Sequence, residues 1–388
     1  MKKMLNVAVI GGGPAGCAFS CFCQKAKITV FEKNEPLKTL LYTGGGRCNL
    51  AHAEFDIKDL ARNYPRGEKF LYSVFYRFST SDTLKFFKSL GIDTYVQNDK
   101  RIFPKTDKAS DVRDAMLEKL KKGHVDFIRE NVVKLEKCAD VFLLNDKYEF
   151  DKVVIATGGH AGYSLAQNLG HNIIEPKPSL VGLITLEKFN LEGVSLRNTC
   201  MRVKNLKKTL VGDLIFTKNG ISGPLAYIVS SLFARATYDE SNPIELTIDF
   251  GCINLVEMLD KNGKKDVKNC ISEIVPKSVA EYIVNHAEVE GKKCFEITKD
   301  KRKILEKFLN EFPVNVVGHE KHGEVVTCGG VDLKEINPKT MESRIVDGLY
   351  FCGEVADIDG FCGGFNLQNA WSTAYVAADG VLCSRCGL

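Results

Sequence analysis

The chain has 388 residues, of which 44% are apolar and 26% charged, with a formal net charge of +4. This is the size of two or three ordinary domains and the composition of a folded globular protein, so disorder is excluded as an account of the whole. No strong basic field and no apolar run of membrane-spanning length is present, so neither a nucleic-acid partner nor a membrane is expected.

The N-terminal Met1-Lys2-Lys3 precedes an apolar run too short for a signal peptide, and the protein is read as cytoplasmic. Its 14 cysteines lie mostly in apolar or helical contexts without a pair of zinc-type CxxC motifs, so reduced thiols and no metal are expected. Cys383 and Cys386 form one CxxC, which reads as a frayed tail.

Asn6–Ile10 is short, apolar and β-branched, the pattern of a buried parallel strand. Gly11-Gly12-Gly13-Pro14-Ala15-Gly16 follows and fits G-x-G-x-x-G between a strand and a helix. Gly11 permits the tight turn, Gly13 lets the backbone approach a pyrophosphate, and Gly16 lets the helix pack closely. Pro14 presets the first helical turn, and Ala15 keeps it slim. Free N–H groups and the helix dipole then face an anion.

A second strand, Ile28–Phe31, ends at Glu32, about twenty residues past the first glycine, where an acid accepts a ribose hydroxyl. An acid there disfavours a 2′-phosphate, and with it NADP. Gly44-Gly45-Gly46-Arg47-Cys48-Asn49 is a second glycine loop, with Arg47 as a planar fork for phosphate or a flavin carbonyl. Lys152–Ile155 reads as another buried strand running through Ala156 and Thr157 into the turn Gly158-Gly159, and such strands open at the carboxyl edge where ligands sit.

From about Thr185 to Phe250 short apolar runs predict antiparallel strands, including Leu210–Phe216 and Ile244–Ile248. From Leu255 to Phe312 the pattern turns helical. Leu255, Met258 and Leu259 share one face, Ile304, Leu305, Phe308 and Leu309 another, and Pro313 ends the last helix. Val314–Val317 and Glu324–Thr327 return as strands. The basic run Lys261–Lys268, interrupted by Asp266, reads as a solvated surface.

Near the C-terminus Gly348–Glu354 reads as strand and turn, and Asp357–Gln368 as an acidic turn with two glycines. A helix is predicted from Asn369 to Leu382. Gly353, Glu354, Asp359, Gly364, Phe365, Asn366 and Leu367 are candidate ligand contacts. A helix N-terminus there would face the N1–C2=O edge of a flavin, which gains negative charge on reduction. Together with the Gly44–Asn49 loop and the Gly158-Gly159 turn, this favours FAD over NAD.

In combination these motifs resemble the flavoprotein family of aminoacetone-oxidase-like and bile-acid dehydro-reductase-like oxidoreductases, and more distantly the glutathione-reductase superfamily. The residues concerned are Gly11–Gly16, Glu32-Lys33, Gly44–Asn49, Arg101–Pro104 with Asp107–Ser110, Ala156–Gly159 and Pro178–Val181. They continue with Phe216-Thr217, Gly220–Pro224, Thr327 with Gly329–Val331, Met341–Ser343 and Gly348–Gln368. The resemblance implies tightly held FAD, with the backbone near Val132 against the adenine. The chain departs from the family at Lys218, where histidine is usual, at Phe365, where tyrosine is usual, and in the short step from Gly159 to Gly170-His171.

The fold implied is α/β: a FAD-binding Rossmann-type, glutathione-reductase-like domain (1–184 and 326–388). It is interrupted by an inserted β-barrel (185–251 and 313–325) and a helical piece (252–312). The expected activity is that of an FAD-dependent oxidoreductase moving hydride between flavin N5 and a small organic substrate, by amine oxidation or C=C reduction. The second substrate would be oxygen or a transiently bound NAD(P)H. A flavin-binding regulator or scaffold with little turnover is the alternative, and a flavin-dependent RNA-modifying enzyme a weaker one, since no basic face stands out. No acid, base or nucleophile stands out; His160, Cys48 and Cys362 are candidates by position alone.

Overall fold

The structure, a computed structural model, describes residues 4–159, 161–204, 206–207, 209–251, 254–321, 323 and 326–383. The chain divides into two compact units, Met1–Ser179 with Val326–Leu388, and Leu180–Val325.

The first unit is built on five parallel strands in the order Leu349–Phe351, Lys152–Ile155, Asn6–Ile10, Lys27–Phe31, Asp126–Ile128. Their runs of Val, Ile and Phe fit a sheet covered on both faces, and Val7, Val9, Val30, Ile155 and Phe351 are all buried. Helices Pro14–Phe22 and Phe365–Cys383 pack against each other. The small residues Ala15, Gly16, Cys17 and Ala18 allow that approach, and all four are buried. Trp371 of the long helix is fully buried and donates its indole N–H to the Leu50 carbonyl at 2.9 Å.

The predicted strand at Ile28 begins one residue earlier, at Lys27. A larger difference lies in the C-terminal helix, which starts at Phe365 and not at Asn369. The Asn366 side chain exchanges two 2.8 Å bonds with the Gly360 backbone, and Gln368 N–H reaches the Gly364 carbonyl. These bonds close a first turn that the glycine pair concealed.

Ile173–Ser179 and Val326–Val331 form a two-stranded antiparallel ribbon, the only part of the first unit adjoining the second unit's limits in sequence. The C-terminal loop grips this ribbon by three carboxylates. Glu354 accepts from Thr327 N–H at 2.8 Å, Asp357 from Gly329 N–H at 3.1 Å and Asp359 from the Ser179 hydroxyl at 2.9 Å.

The second unit holds a closed six-stranded antiparallel barrel. Its order is Leu183–Thr185, Gly220–Ser222, Thr209–Phe216, Ser195–Val203, Ile244–Asp249, Phe312–His319, returning to the first strand. Leu183 and Ile184, which the sequence reading leaves in the first domain, are therefore barrel residues.

Helices Leu255–Lys261, Val267–Ile271, Lys277–His286 and Lys299–Asn310 share one core with the barrel, in which Leu255, Ile283 and Leu305 meet Phe216, Ile248 and Phe312. Barrel and helices thus make one unit and not two. The last helix ends at Asn310, before Pro313, which sits near the start of the strand Phe312–His319 opposite Thr247. The start of a strand tolerates a missing N–H. Ile304 is exposed, while Leu305 and Leu309 face inward. Lys261, Lys265 and Lys268 pair with Glu257, Glu273 and Glu281, so that run is solvated surface. Among the described residues no helix is long and apolar enough to cross a membrane.

Candidate functional site

The carboxyl ends of the parallel strands bring most of the predicted residues to one edge of the sheet. Gly11 follows the central strand and Glu32 its neighbour. Ala156–Gly158 and Gly353 follow the two strands on the other side. In open α/β sheets this carboxyl edge is where ligands sit.

The three glycines of the first loop do different work. Gly11 has φ +104, and a Cβ there would lie 2.5 Å from the Ala156 carbonyl oxygen. A Cβ on Gly16 would strike the Gly11 carbonyl oxygen. Both are demanded by the protein's own packing. Gly13 is not: its φ of −74 and ψ of −172 suit any residue, and a Cβ would meet nothing within 4 Å.

Gly13 also precedes a nine-residue helix that has no side-chain cap, with Pro14 at its start. The amides of Ala15 and Gly16 are first-turn donors, which a helix leaves without an intrahelical partner. The loop therefore offers uncapped donors beside an unfilled space, which is how a helix terminus receives a phosphate. Gly45 and Gly158, with φ of +68 and +78, likewise have nothing within 4 Å of a Cβ.

Glu32 is tied to the same loop. Its carboxylate accepts from Gly12 N–H at 2.8 Å and from Asn34 N–H at 2.7 Å. The neighbouring Lys33 is exposed. Glu32 N–H donates to the Ile128 carbonyl at 3.0 Å, which sets the segment leading to the buried Val132 beside the Glu32 strand end.

In the second glycine loop, Arg47 lies over the Phe103 ring, 4.1 Å from its centroid, with Asp107 3.8 Å away. Cys48 is fully buried at φ +62, and burial pushes its thiol pKa up to about 12, against a smaller lowering by the Thr43 hydroxyl. A thiol so held is a poor nucleophile. Asn49, oriented by its hydrogen bonds, donates to the Ala51 carbonyl at 3.0 Å and accepts from Gly364 N–H at 3.0 Å.

The two ends of the chain also meet at these glycines. Asn49 holds Gly364, and a Cβ on Gly353 would come within 2.7 Å of the Ala15 Cβ. Gly364 flanks the long C-terminal helix, with Phe365, Asn366 and Leu367 in its first turn.

The carboxylates of Glu354 and Asp359 are both engaged within the protein. Besides holding the ribbon, Asp359 is fully buried in a two-toothed pair with the Arg66 guanidinium, whose side chain is 10% exposed. Their carboxylates secure the loop that bears the site. Cys362 is exposed in that loop. His160 and Cys386 lie outside the described residues.

Three residues unmarked by sequence reasoning also belong here: Arg66, Tyr64 and His52. The Tyr64 hydroxyl donates to the Phe365 carbonyl at 2.6 Å. His52 Nδ1 lies 3.1 Å from the Gly363 carbonyl oxygen, and its ring stacks on Phe365 at 4.5 Å between centroids. Desolvation lowers the His52 pKa from 6.5, against a smaller raising by the Gly363 bond. Position three past Asn49 was the available signal for His52. Nothing local marks the others, whose partners lie about 300 residues away.

Fold and site define a Rossmann-type α/β protein with an inserted barrel. The chain belongs to the family of HI0933-like proteins with a Rossmann domain, which matches residues 5–380.

It is 28% identical to a 3-dehydro-bile acid delta(4,6)-reductase of Clostridium scindens, over 96% of this chain and 98% of that protein. It is 30% identical to a ribosomal RNA dihydrouridine synthase of Haemophilus influenzae, over 97% and 98% of the two chains. The open conformation of a flavocytochrome c3 fumarate reductase shares the fold, with a TM-score of 0.50 at 15% identity over 98% of this chain and 78% of that one.

Proposed function

We propose that the protein is an FAD-dependent oxidoreductase that reduces a C=C bond conjugated to a carbonyl. The observation that carries the cofactor is Gly13, a glycine its own fold does not require, beside the uncapped helix start. The residues fit the group. The loop amides would hold the pyrophosphate and Glu32 the ribose, while the first turn at Phe365–Leu367 would hold the flavin's pyrimidine edge. Bound FAD would supply hydride chemistry at N5.

The choice of reduction over amine oxidation rests on the two relatives. Their names describe different molecules but one kind of bond. A 3-dehydro steroid with 4,6 unsaturation carries C=C conjugated to a ketone, and uridine becomes dihydrouridine by saturation of C=C conjugated to a ring carbonyl. The near-neutral net charge of +4 favours a small substrate over RNA. NAD(P)H is the proposed reductant, bound transiently because the sequence holds no second G-x-G-x-x-G unit.

The test uses purified protein. It should be yellow, release FAD on denaturation, and bleach under NADH or NADPH without oxygen. A steroid 4-en-3-one or protein-free ribosomal RNA, added separately, should restore the colour, and whichever does so identifies the substrate source. Bleaching by amines with peroxide on re-aeration would overturn the reductase reading. Bleaching by nothing in either panel would favour a regulator.

A further inference from the structure

We propose that His52 is an ionisable group of the flavin site, an imidazole beside the ring system that takes up a proton when the flavin is reduced. The proposal rests on the flavin reading above, and it concerns a residue that reading does not use.

Geometry assigns the tautomer. The Gly363 carbonyl can only accept, so His52 Nδ1, 3.1 Å away, carries the hydrogen. Nε2 is left as the atom that can gain a proton. The ring is half-buried and lies nearly parallel to Phe365, with 28° between planes.

Position argues for the flavin. His52 lies where the loop ending at Asn49 meets the turn at Gly363 and Gly364, which leads into the helix start proposed for the flavin's pyrimidine edge. Asn49 joins them through Gly364 N–H, and a Cβ on Gly364 would strike the Ala51 carbonyl. Phe365, on which the imidazole stacks, opens the helix that would face the N1–C2=O edge.

The charges around the imidazole offset one another. Lys100, Glu54 and Asp99 act on it, and Arg101 is its neighbour across the strand pair. Lys100 pairs with Glu54 at 3.5 Å and Arg101 with Asp99 at 2.6 Å. From the C-terminal side come the Gly363 carbonyl, the Phe365 ring and the positive end of the long helix. Burial is the largest influence on the imidazole and lowers its pKa from the usual value, and the positive end of a helix acts in the same direction. Reduced flavin carries negative charge at N1–C2=O, and a neighbouring anion favours the imidazolium.

The balance follows. Without His52, two electrons enter with one proton, which forms the N5–H bond of FADH⁻. With it, a second proton binds Nε2 in the pH interval between the imidazole's pKa values in the two redox states. Two electrons then enter with two protons, giving FADH⁻ beside HisH⁺. Linkage makes the effect mutual: protonating His52 raises the flavin's reduction potential by the same free energy.

His52→Asn separates this from a structural role, because the amide still donates to the Gly363 carbonyl but does not titrate. The holoprotein's midpoint potential would be measured from pH 5 to 9 under argon, with dithionite as electron source and a reference dye. The wild type should show an interval of added proton uptake, worth about a tenfold rise in His52 proton affinity on reduction, and His52→Asn should lack it. Identical curves in two fully loaded proteins would overturn the proposal and leave the flavin reading intact. Should His52→Asn come without flavin, nitrogen-15 histidine NMR of the wild type reads the same quantity. An imidazole pKa unchanged by reduction would overturn the proposal. A colourless wild type would overturn the flavin reading and the proposal together.

Discussion

Two helices in this protein begin with Gly-Pro, one in each unit, and their surroundings differ. Both Gly13-Pro14 and Gly223-Pro224 open nine-residue helices without a side-chain cap. Gly13 has ordinary extended angles and empty space before it. Gly223 has φ +92, and its Cβ would lie 3.2 Å from the Asp213 carbonyl oxygen of a barrel strand. The second glycine is explained by its own backbone and neighbours. The first is explained by neither, which fits the ligand proposed for it. A Gly-Pro helix start is thus a cue for a missing side chain, and only its neighbours say what the missing side chain makes room for.

Substitutions at either helix start or at its supports separate the two. The largest effect is expected at the support of the first site. Arg66→Ala strands a buried Asp359 carboxylate, which should cost about 3–5 kcal/mol of stability in chemical denaturation. A loss below about 1 kcal/mol would mean that the pair is not what holds the loop.

Next, Gly13→Glu should weaken FAD binding at least ~100-fold, or about 2.7 kcal/mol, while apoprotein melting is unchanged. Full flavin in this variant would remove the distinction between the two helix starts.

Gly223→Ala should do the reverse. It should cost about 1–3 kcal/mol through strain at φ +92, with flavin content unaltered. The smallest effect concerns thiols. Iodoacetamide at pH 7.5 should label exposed Cys138 and Cys383 within minutes and spare Cys48 in native protein, as mass spectrometry would show.

The parts of the first unit that are local in sequence were legible. Asn6–Ile10, the glycine loop and Glu32 announce themselves because strand, turn and helix start are consecutive, each with its own residue requirement. The barrel strands Thr209–Phe216 and Ile244–Asp249 were legible as strands, but closure depends on three-residue strands such as Gly220–Ser222 that carry no periodic signal. Pro313 misled because the residue that stops a helix also suits the start of a strand. The missed site residues are bound by distant partners. Arg66 meets Asp359, Tyr64 meets Phe365 and His52 meets Gly363 across about 300 residues, which no spacing rule reaches.

The ribbon of Ile173–Ser179 and Val326–Val331 has a consequence of its own. Ser179 and Val326 face each other as register partners, and between them in sequence lies the whole second unit. Directly opposed residues of antiparallel strands have Cα atoms roughly 5 Å apart, a gap that a two-residue turn spans. The barrel unit therefore occupies the place of a hairpin tip. A lineage can lengthen, exchange or delete what is inserted there without rethreading the sheet.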